Sequence, residues 1–284
     1  MKKINRIILI TLIATVLTTS IPPAQAQEYI QLCLVIDGSG SINPGDWLVI
    51  VNGIADAVEN NLPHDGTVEL SVVQFSSIAQ LEVAPIIITA ANYQTVANTI
   101  RVIAQLGNNT ATAHGIALGW NTMAASPNFA TFDKQIINLA TDGNPNIRNN
   151  EATTDLDGDL DVDAYDDIIA TVNNAELAGL DELDVEGINI LDPLIIWFRD
   201  YCVRPQPGTI APPFDPGWIQ AVATAEEFAE AIAEKFEMLN GEPVGGELVP
   251  VSKLRLVAPY AALALMLTAG AIGSIKKTGS STLF

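Results

Sequence analysis

The segment Asp37-Gly38-Ser39-Gly40-Ser41 sets one carboxylate and two hydroxyls at alternate positions between glycines. In an extended loop, residues at that spacing can point the same way. Two other segments offer matching oxygens: Asn108-Asn109-Thr110-Ala111-Thr112, with its hydroxyls, and Asp142 in Thr141-Asp142-Gly143. A site built only of oxygen donors suits a hard cation such as Mg²⁺ (or Mn²⁺), near-octahedral, with water in the open positions. Few anionic donors leave the ion electrophilic, so that it can accept a carboxylate from a partner, or a water in its absence.

Such a site needs three loops brought to one place, and the apolar pattern supplies the elements to do it. Residues 29–36 (YIQLCLVI) read as a buried strand. Residues 46–60 carry apolar side chains at Trp47, Ile50, Val51, Ile54 and Val58, which is helical spacing, with Pro44 near the start. Strands are expected at 67–75, 134–141, 184–190 and 218–222, with a short edge strand at 79–83. Helices are expected at 92–104, 115–125, 164–177 and 225–239, with a short one at 193–201 and a Pro-rich loop at 205–216. The last long helix is the clearest: Thr224 and Glu227 form a capping box, and Phe228, Ile232, Phe236 and Leu239 make one apolar face. Strands alternating with helices imply an α/β fold, a central mostly parallel sheet with helices on both faces. In such sheets ligands bind at the carboxyl ends of the strands, near a switch in strand order. All three oxygen-bearing segments fall there. No internal repeat is present.

With these residues in place, the chain resembles the von Willebrand factor A and integrin I domains. Asp37, Ser39 and Ser41 match the DxSxS motif of their metal-ion-dependent adhesion site. Thr110, five residues before Gly115, looks like the family's loop threonine, with Thr112 as its nearest competitor and an N-cap as that residue's other role. Asp142 looks like the family's second aspartate, which often acts through water. The resemblance covers roughly residues 28–239 and is close to secreted prokaryotic A domains. It implies a Rossmann-like fold and ligand binding without catalysis.

Asp155, Asp157, Asp159, Asp161 and Asp163 alternate after the Asp142 strand and resemble a calcium loop. An EF-hand loop wants Gly at position 6 and Glu at position 12. Counted from Asp155 those positions hold Leu160 and Asp166; counted from Asp157 they hold Val162 and Ile168. No Lys or Arg lies between Glu151 and Glu186. Two readings stand: a second, calcium-type site using Asp155, Asp157, Asp159, Asp161 and Asp166, or a solvated acidic loop.

The ends of the 284-residue chain speak of export. Residues 1–26 read as a signal peptide: Lys2, Lys3 and Arg6, then a short apolar stretch, then Ala24-Gln25-Ala26. Residues 27–240 form the globular domain and 241–254 a juxtamembrane linker. Residues 255–275 form an apolar transmembrane helix or a sorting tail, and 276–284, opening on Lys276 and Lys277, a cytoplasmic tail. The domain is then outside, possessing a membrane anchor and facing the cell surface. A net charge of −20 excludes nucleic acid as a partner, since phosphate backbones need basic patches. Cys33 and Cys202 are the only cysteines. An oxidising compartment permits their disulfide, and Cys33 reads equally as a small apolar residue in a buried strand.

Three function classes follow. The first is a metal-dependent protein-binding module whose partner presents a carboxylate. The second is a scaffold subunit of an envelope complex with a purely structural metal. The third is a serine hydrolase, disfavoured because Asp37 stands where a nucleophile elbow needs glycine, and only His64 and His114 could supply a base.

Overall fold

The computed structural model describes residues 28–210 and 216–239. The signal peptide, linker, membrane helix and tail expected from the sequence lie outside them. Among the described residues no helix is long and apolar enough to cross a membrane.

Strand β1 (Ile30–Asp37) runs through the middle of the molecule, and all eight of its residues are buried. It separates two cores. Ile30, Leu32, Leu34 and Ile36 enter one, Cys33 and Val35 the other, as the alternation of a strand dictates. Strands β2 (Asp65–Phe75) and β4 (Lys134–Thr141) flank it, both parallel to it. With β3 (Ala79–Thr89), β5 (Glu182–Ile188), β6 (Thr209–Ile210) and β7 (Trp218–Val222), the sheet has the order β3-β2-β1-β4-β5-β7-β6. Among the described strands only the β2–β3 pairing is antiparallel, apart from an isolated antiparallel bridge between Leu183 and Arg204.

Helices α1 (Pro44–Asn60), α2 (Tyr93–Arg101) and α6 (Ala225–Leu239) cover one face. Trp47, Ile50, Ile54, Val96, Phe228, Ile232 and Phe236 fill the core beneath them. Helices α3 (Thr112–Ala124), α4 (Ala164–Leu177) and α5 (Asp192–Trp197) cover the other, through Ile116, Met123, Ile168, Val172 and Leu194. Asn43 starts α1 by accepting from the N–H groups of Gly45 and Asp46, with Pro44 just inside. Asp163 and Asp166 form a capping box at the start of α4.

Several boundaries differ from expectation. β3 continues through Pro85 to Thr89 instead of stopping at residue 83. Proline lacks a donor, but β3 is an edge strand, where one side needs none. α2 ends at Arg101 rather than 104, because the backbone beyond turns away to serve side chains: the Trp47 indole donates to the Ile103 carbonyl at 3.0 Å. Two residues of the expected Pro-rich loop pair with β7 as β6. β5 runs from Glu182 to Ile188, two residues earlier than the expected 184–190, and buries Glu182, Asp184 and Glu186 on one face. Cys33 and Cys202 are both buried and unpaired as free thiols.

Candidate metal centre

The sheet order switches direction across β1 and β4, so their carboxyl ends open a crevice. β1 delivers Asp37 to this edge and β4 delivers Thr141 and Asp142. Three backbone hydrogen bonds fix the loop that follows β1: Gly38 N–H to Phe75 O, Gly40 N–H to Asn108 O and Gly107 N–H to Gly38 O, each 2.8 Å. Close approach excludes a side chain at Gly38 and leaves little room for one at Gly40. A Cβ on Gly38 would lie 2.1 Å from Gln74 Oε1, and one on Gly40 3.2 Å from the Asn108 carbonyl. Gln74 cannot yield easily, since its amide accepts from Leu106 N–H (2.7 Å) and donates to Ala104 O (3.0 Å).

The side chains form a continuous chain. Asp37 Oδ1 accepts from Ser39 N–H at 2.9 Å, and Oδ2 accepts from the Thr141 hydroxyl at 2.7 Å. Ser39 and Ser41 hydroxyls meet at 2.8 Å, and Ser41 donates to Asp142 Oδ1 at 2.7 Å. Thr110, buried, rides on the loop before α3, which is tied to the loop after β4. Its N–H donates to Asn146 Oδ1 and its carbonyl accepts from Asn146 N–H, both 2.9 Å. Thr112 does not cap α3: Ala111 occupies the cap position, and the Thr112 hydroxyl is buried without a hydrogen-bond partner.

The electrostatics call for a cation. Burial pushes the Asp37 carboxyl up to about 6, against the hydrogen bonds from Thr141 and Ser39, and the Asp142 charge adds to the rise. Burial likewise raises Asp142, with Asp46 contributing and the Ser41 bond opposing. Among the described residues no Lys or Arg pairs with either carboxylate. Two under-compensated carboxylates linked through two hydroxyls, with oxygen donors only, fit a hard divalent ion.

The model of the von Willebrand factor type A domain matches residues 31–175, which hold every one of these groups. The chain belongs to the von Willebrand factor type A domain family. Solved structures of the same fold include three from bacterial pili. The vWF domain of the type V pili tip protein Mfa5 from Porphyromonas gingivalis superposes with a TM-score of 0.56 at 13% identity, covering 78% of this chain and 98% of that one. The open conformation of the pilus adhesin SpaC from Lactobacillus rhamnosus GG gives 0.55 at 16%, covering 76% and 30%. The D319A mutant of the PilB minor pilin from Streptococcus sanguinis gives 0.55 at 15%, covering 77% and 63%. The match thus spans under a third of the SpaC chain. No curated protein matches the chain.

Within the A domain, sequence reasoning missed the supports of the metal loop. Thr141 fixes Asp37. Gln105 donates to the Ser39 and Ile42 carbonyls at 2.9 and 2.8 Å, and Asn146 holds Thr110. Only Thr141 carried a signal, its place beside Asp142. The histidines play no visible part in the serine chain. His64 stands at the opposite edge of the sheet, its Nε2 2.7 Å from Val58 O and its ring stacked on Tyr93. His114 lies in α3 with Nδ1 buried and without a partner.

The acidic loop behaves differently. Oxygens of Asp155, Asp157 and Asp159 lie within 4.8 Å of one another. Asp161 instead accepts from Val162 N–H, and Asp166 is occupied by the N–H groups of Leu156 and Asp163. Leu160, where an EF-hand loop has glycine, takes the left-handed conformation at φ 77°. The loop is docked by Trp197, whose indole donates to Asp157 Oδ2 at 3.1 Å. The neutralising charge missing between residues 151 and 186 comes from Arg148, paired with buried Asp167 at 3.1 Å. Against its burial, Arg148 and the N–H groups of Ala152 and Asn150 hold Asp167 below its ordinary value.

Proposed function

We propose that this A domain is an extracellular, metal-dependent protein-binding module. Asp37, Ser39, Ser41, Thr110 and Asp142 hold Mg²⁺ or Mn²⁺, and the ion takes a carboxylate from a protein partner in an open coordination position. The observation that carries this reading is the chain Thr141–Asp37–Ser39–Ser41–Asp142, five residues from two loops with no pairing cation. The protein's own groups preorganise the loop: Thr141 and Ser39 N–H orient Asp37, while Gln74 and Gln105 fix the backbone. When bound, the ion supplies an electrophile at the edge of the sheet. Pilus proteins that share the fold, among them a pilus adhesin, support a role at the cell surface. A hydrolase is disfavoured because Ser39 and Ser41 are bonded to each other and to Asp142, without a base.

We further propose that Asp155, Asp157 and Asp159 form the nucleus of a Ca²⁺ site, with Asp161 and Asp166 joining once an ion draws the loop together. Calorimetric titration of Mg²⁺, Mn²⁺ and Ca²⁺ into residues 27–240, beside the Asp37→Ala variant, tests both. Mg²⁺ or Mn²⁺ binding that requires Asp37, and partner capture abolished by chelation, are expected. A folded domain that binds no divalent ion would overturn the reading in favour of a scaffold.

A further inference from the structure

Far from the metal edge in chemistry, the face of β5 beneath α6 carries Glu182, Asp184 and Glu186, all buried. Into this face Lys235 of α6 projects its amine, with only 2% of its side chain exposed, and contacts Asp184 Oδ2; the Asp184 side chain has no exposure. Asp184 Oδ1 accepts from the Trp218 backbone N–H at 3.1 Å. The Trp218 ring covers the amine, its centroid 4.7 Å from Nζ. Glu182 lies two residues before Asp184 on the same face of the strand, so two buried carboxyls stand side by side beneath the amine. Lys134 pairs with Glu182 from its other side, and Asn138 donates to Glu186. The Glu186 Oε1, Asn138 Oδ1 and Gln220 Oε1 atoms are buried without partners.

This arrangement is poor as a mere ion pair. Desolvation of both charges offsets much of their attraction, and a well-packed apolar pair would serve stability as well. It is well formed for a reaction: an amine against a carboxyl, a donor on one carboxyl oxygen, a neighbouring acid–base group, and no water access.

We propose that Lys235 and Asp184 become joined by a side-chain amide bond, formed by the folded domain itself with Glu182 as the proton acceptor, which fastens α6 to the sheet. The Lys235 ammonium gives one proton to the Glu182 carboxylate. The freed amine lone pair attacks Cγ of the protonated Asp184 carboxyl, and the charge that develops on Oδ1 is met by the Trp218 N–H. The C–N bond forms, the C–OH bond breaks, and the hydroxyl leaves with the second amine proton as water. Ammonium, carboxylic acid and carboxylate thus become amide, water and a neutral Glu182, with no oxidant or activating group required. The proton placement agrees. Burial raises Asp184 well above the carboxylate range, while Asp184, Lys235 and Lys134 hold Glu182 below its ordinary value against its own burial. Burial favours the uncharged amine at Lys235, but Asp184, Glu186 and Glu182 outweigh it, so the attacking amine is a minor form and the step is slow. Its product removes the buried charges that the ion pair has to carry.

Proteolysis of the purified full chain followed by tandem mass spectrometry tests this. The expected result is a branched peptide joining residues 184 and 235, lighter than its two components by one water. The Lys235→Met variant gives none, and Glu182→Gln gives at least tenfold less at equal age while retaining the circular dichroism of the parent. Recovery of residues 184 and 235 only in separate linear peptides from the folded parent overturns the proposal. So does loss of water that maps instead to an Asp-Gly pair such as Asp142-Gly143.

Discussion

The loop after β1 and the loop of residues 151–163 both gather carboxylates near the same edge of the sheet, yet they are held in opposite ways. Asp37 is the last residue of a central strand, fully buried, and its two oxygens are fixed by Ser39 and Thr141. Asp155, Asp157 and Asp159 are only partly covered and satisfy mainly the backbone of their own loop: Asp155 takes the N–H groups of Gly158 and Leu160, and Asp159 that of Asp161. The first site has few carboxylates in a rigid frame, which suits a small ion with strict geometry. The second has many in a pliant loop, which suits a larger ion with loose geometry. A rigid frame costs stability while the ion is absent, whereas an exposed loop costs little.

The sharpest way to break this comparison is at Asp37. Asp37→Asn should lower Mg²⁺ affinity by more than the ~10–100-fold expected for Thr141→Val, which removes only a supporting bond to a ligand; calorimetry of both variants orders them. The same residue separates the regions in stability. Its carboxyl is raised from 3.8 to about 6 in the folded chain, so the folded state holds the proton more tightly. Without metal, its contribution is fully present at low pH and is lost as pH rises from about 4 to about 6. At neutral pH the metal-free Asp37→Asn variant should therefore be more stable than the parent by up to about 3 kcal/mol, at roughly 1.4 kcal/mol per pKa unit. Saturating Mg²⁺ should reverse that order in thermal melts.

For the acidic loop, the double change Asp155→Asn and Asp157→Asn should weaken Ca²⁺ binding by about tenfold or more, while leaving Mg²⁺ affinity at Asp37 within about twofold. Terbium luminescence sensitised by Trp197, which touches Asp157, reports on this loop; an unchanged signal in the variant would count against the site. The smallest effect is expected at Leu160, exposed by 93% and held at φ 77°. Leu160→Gly relieves a conformation costing ~1–2 kcal/mol for a side chain but adds chain entropy to the unfolded state. A net gain of about 0.5–1 kcal/mol in denaturant unfolding is the expected outcome.

The sequence by itself determined the α/β architecture, because a buried strand such as residues 30–37 and a one-faced helix such as α6 write their burial into local periodicity. It also determined the motif residues Asp37, Ser39 and Ser41, since they are neighbours in the chain, and the placement of Asp142 after a strand. What it misjudged were segments whose chemistry is balanced from a distance. The sequence places β5 at 184–190 rather than 182–188, because nothing local marks the charged Glu182 as buried; Lys134 on the adjacent strand pairs with it, Lys235, some fifty residues on, pairs with Asp184, and Asn138 serves Glu186. β3, expected as a short edge strand at 79–83, runs on through Pro85 to Thr89, and how far its pairing with β2 extends is set by the partner strand. Gln74, Gln105 and Arg148 carry no local mark of their roles, for a hydrogen bond or ion pair leaves no periodic trace in the chain. Tertiary structure alone decided these points, because whether a buried polar group is stable depends on which partner the fold brings to it.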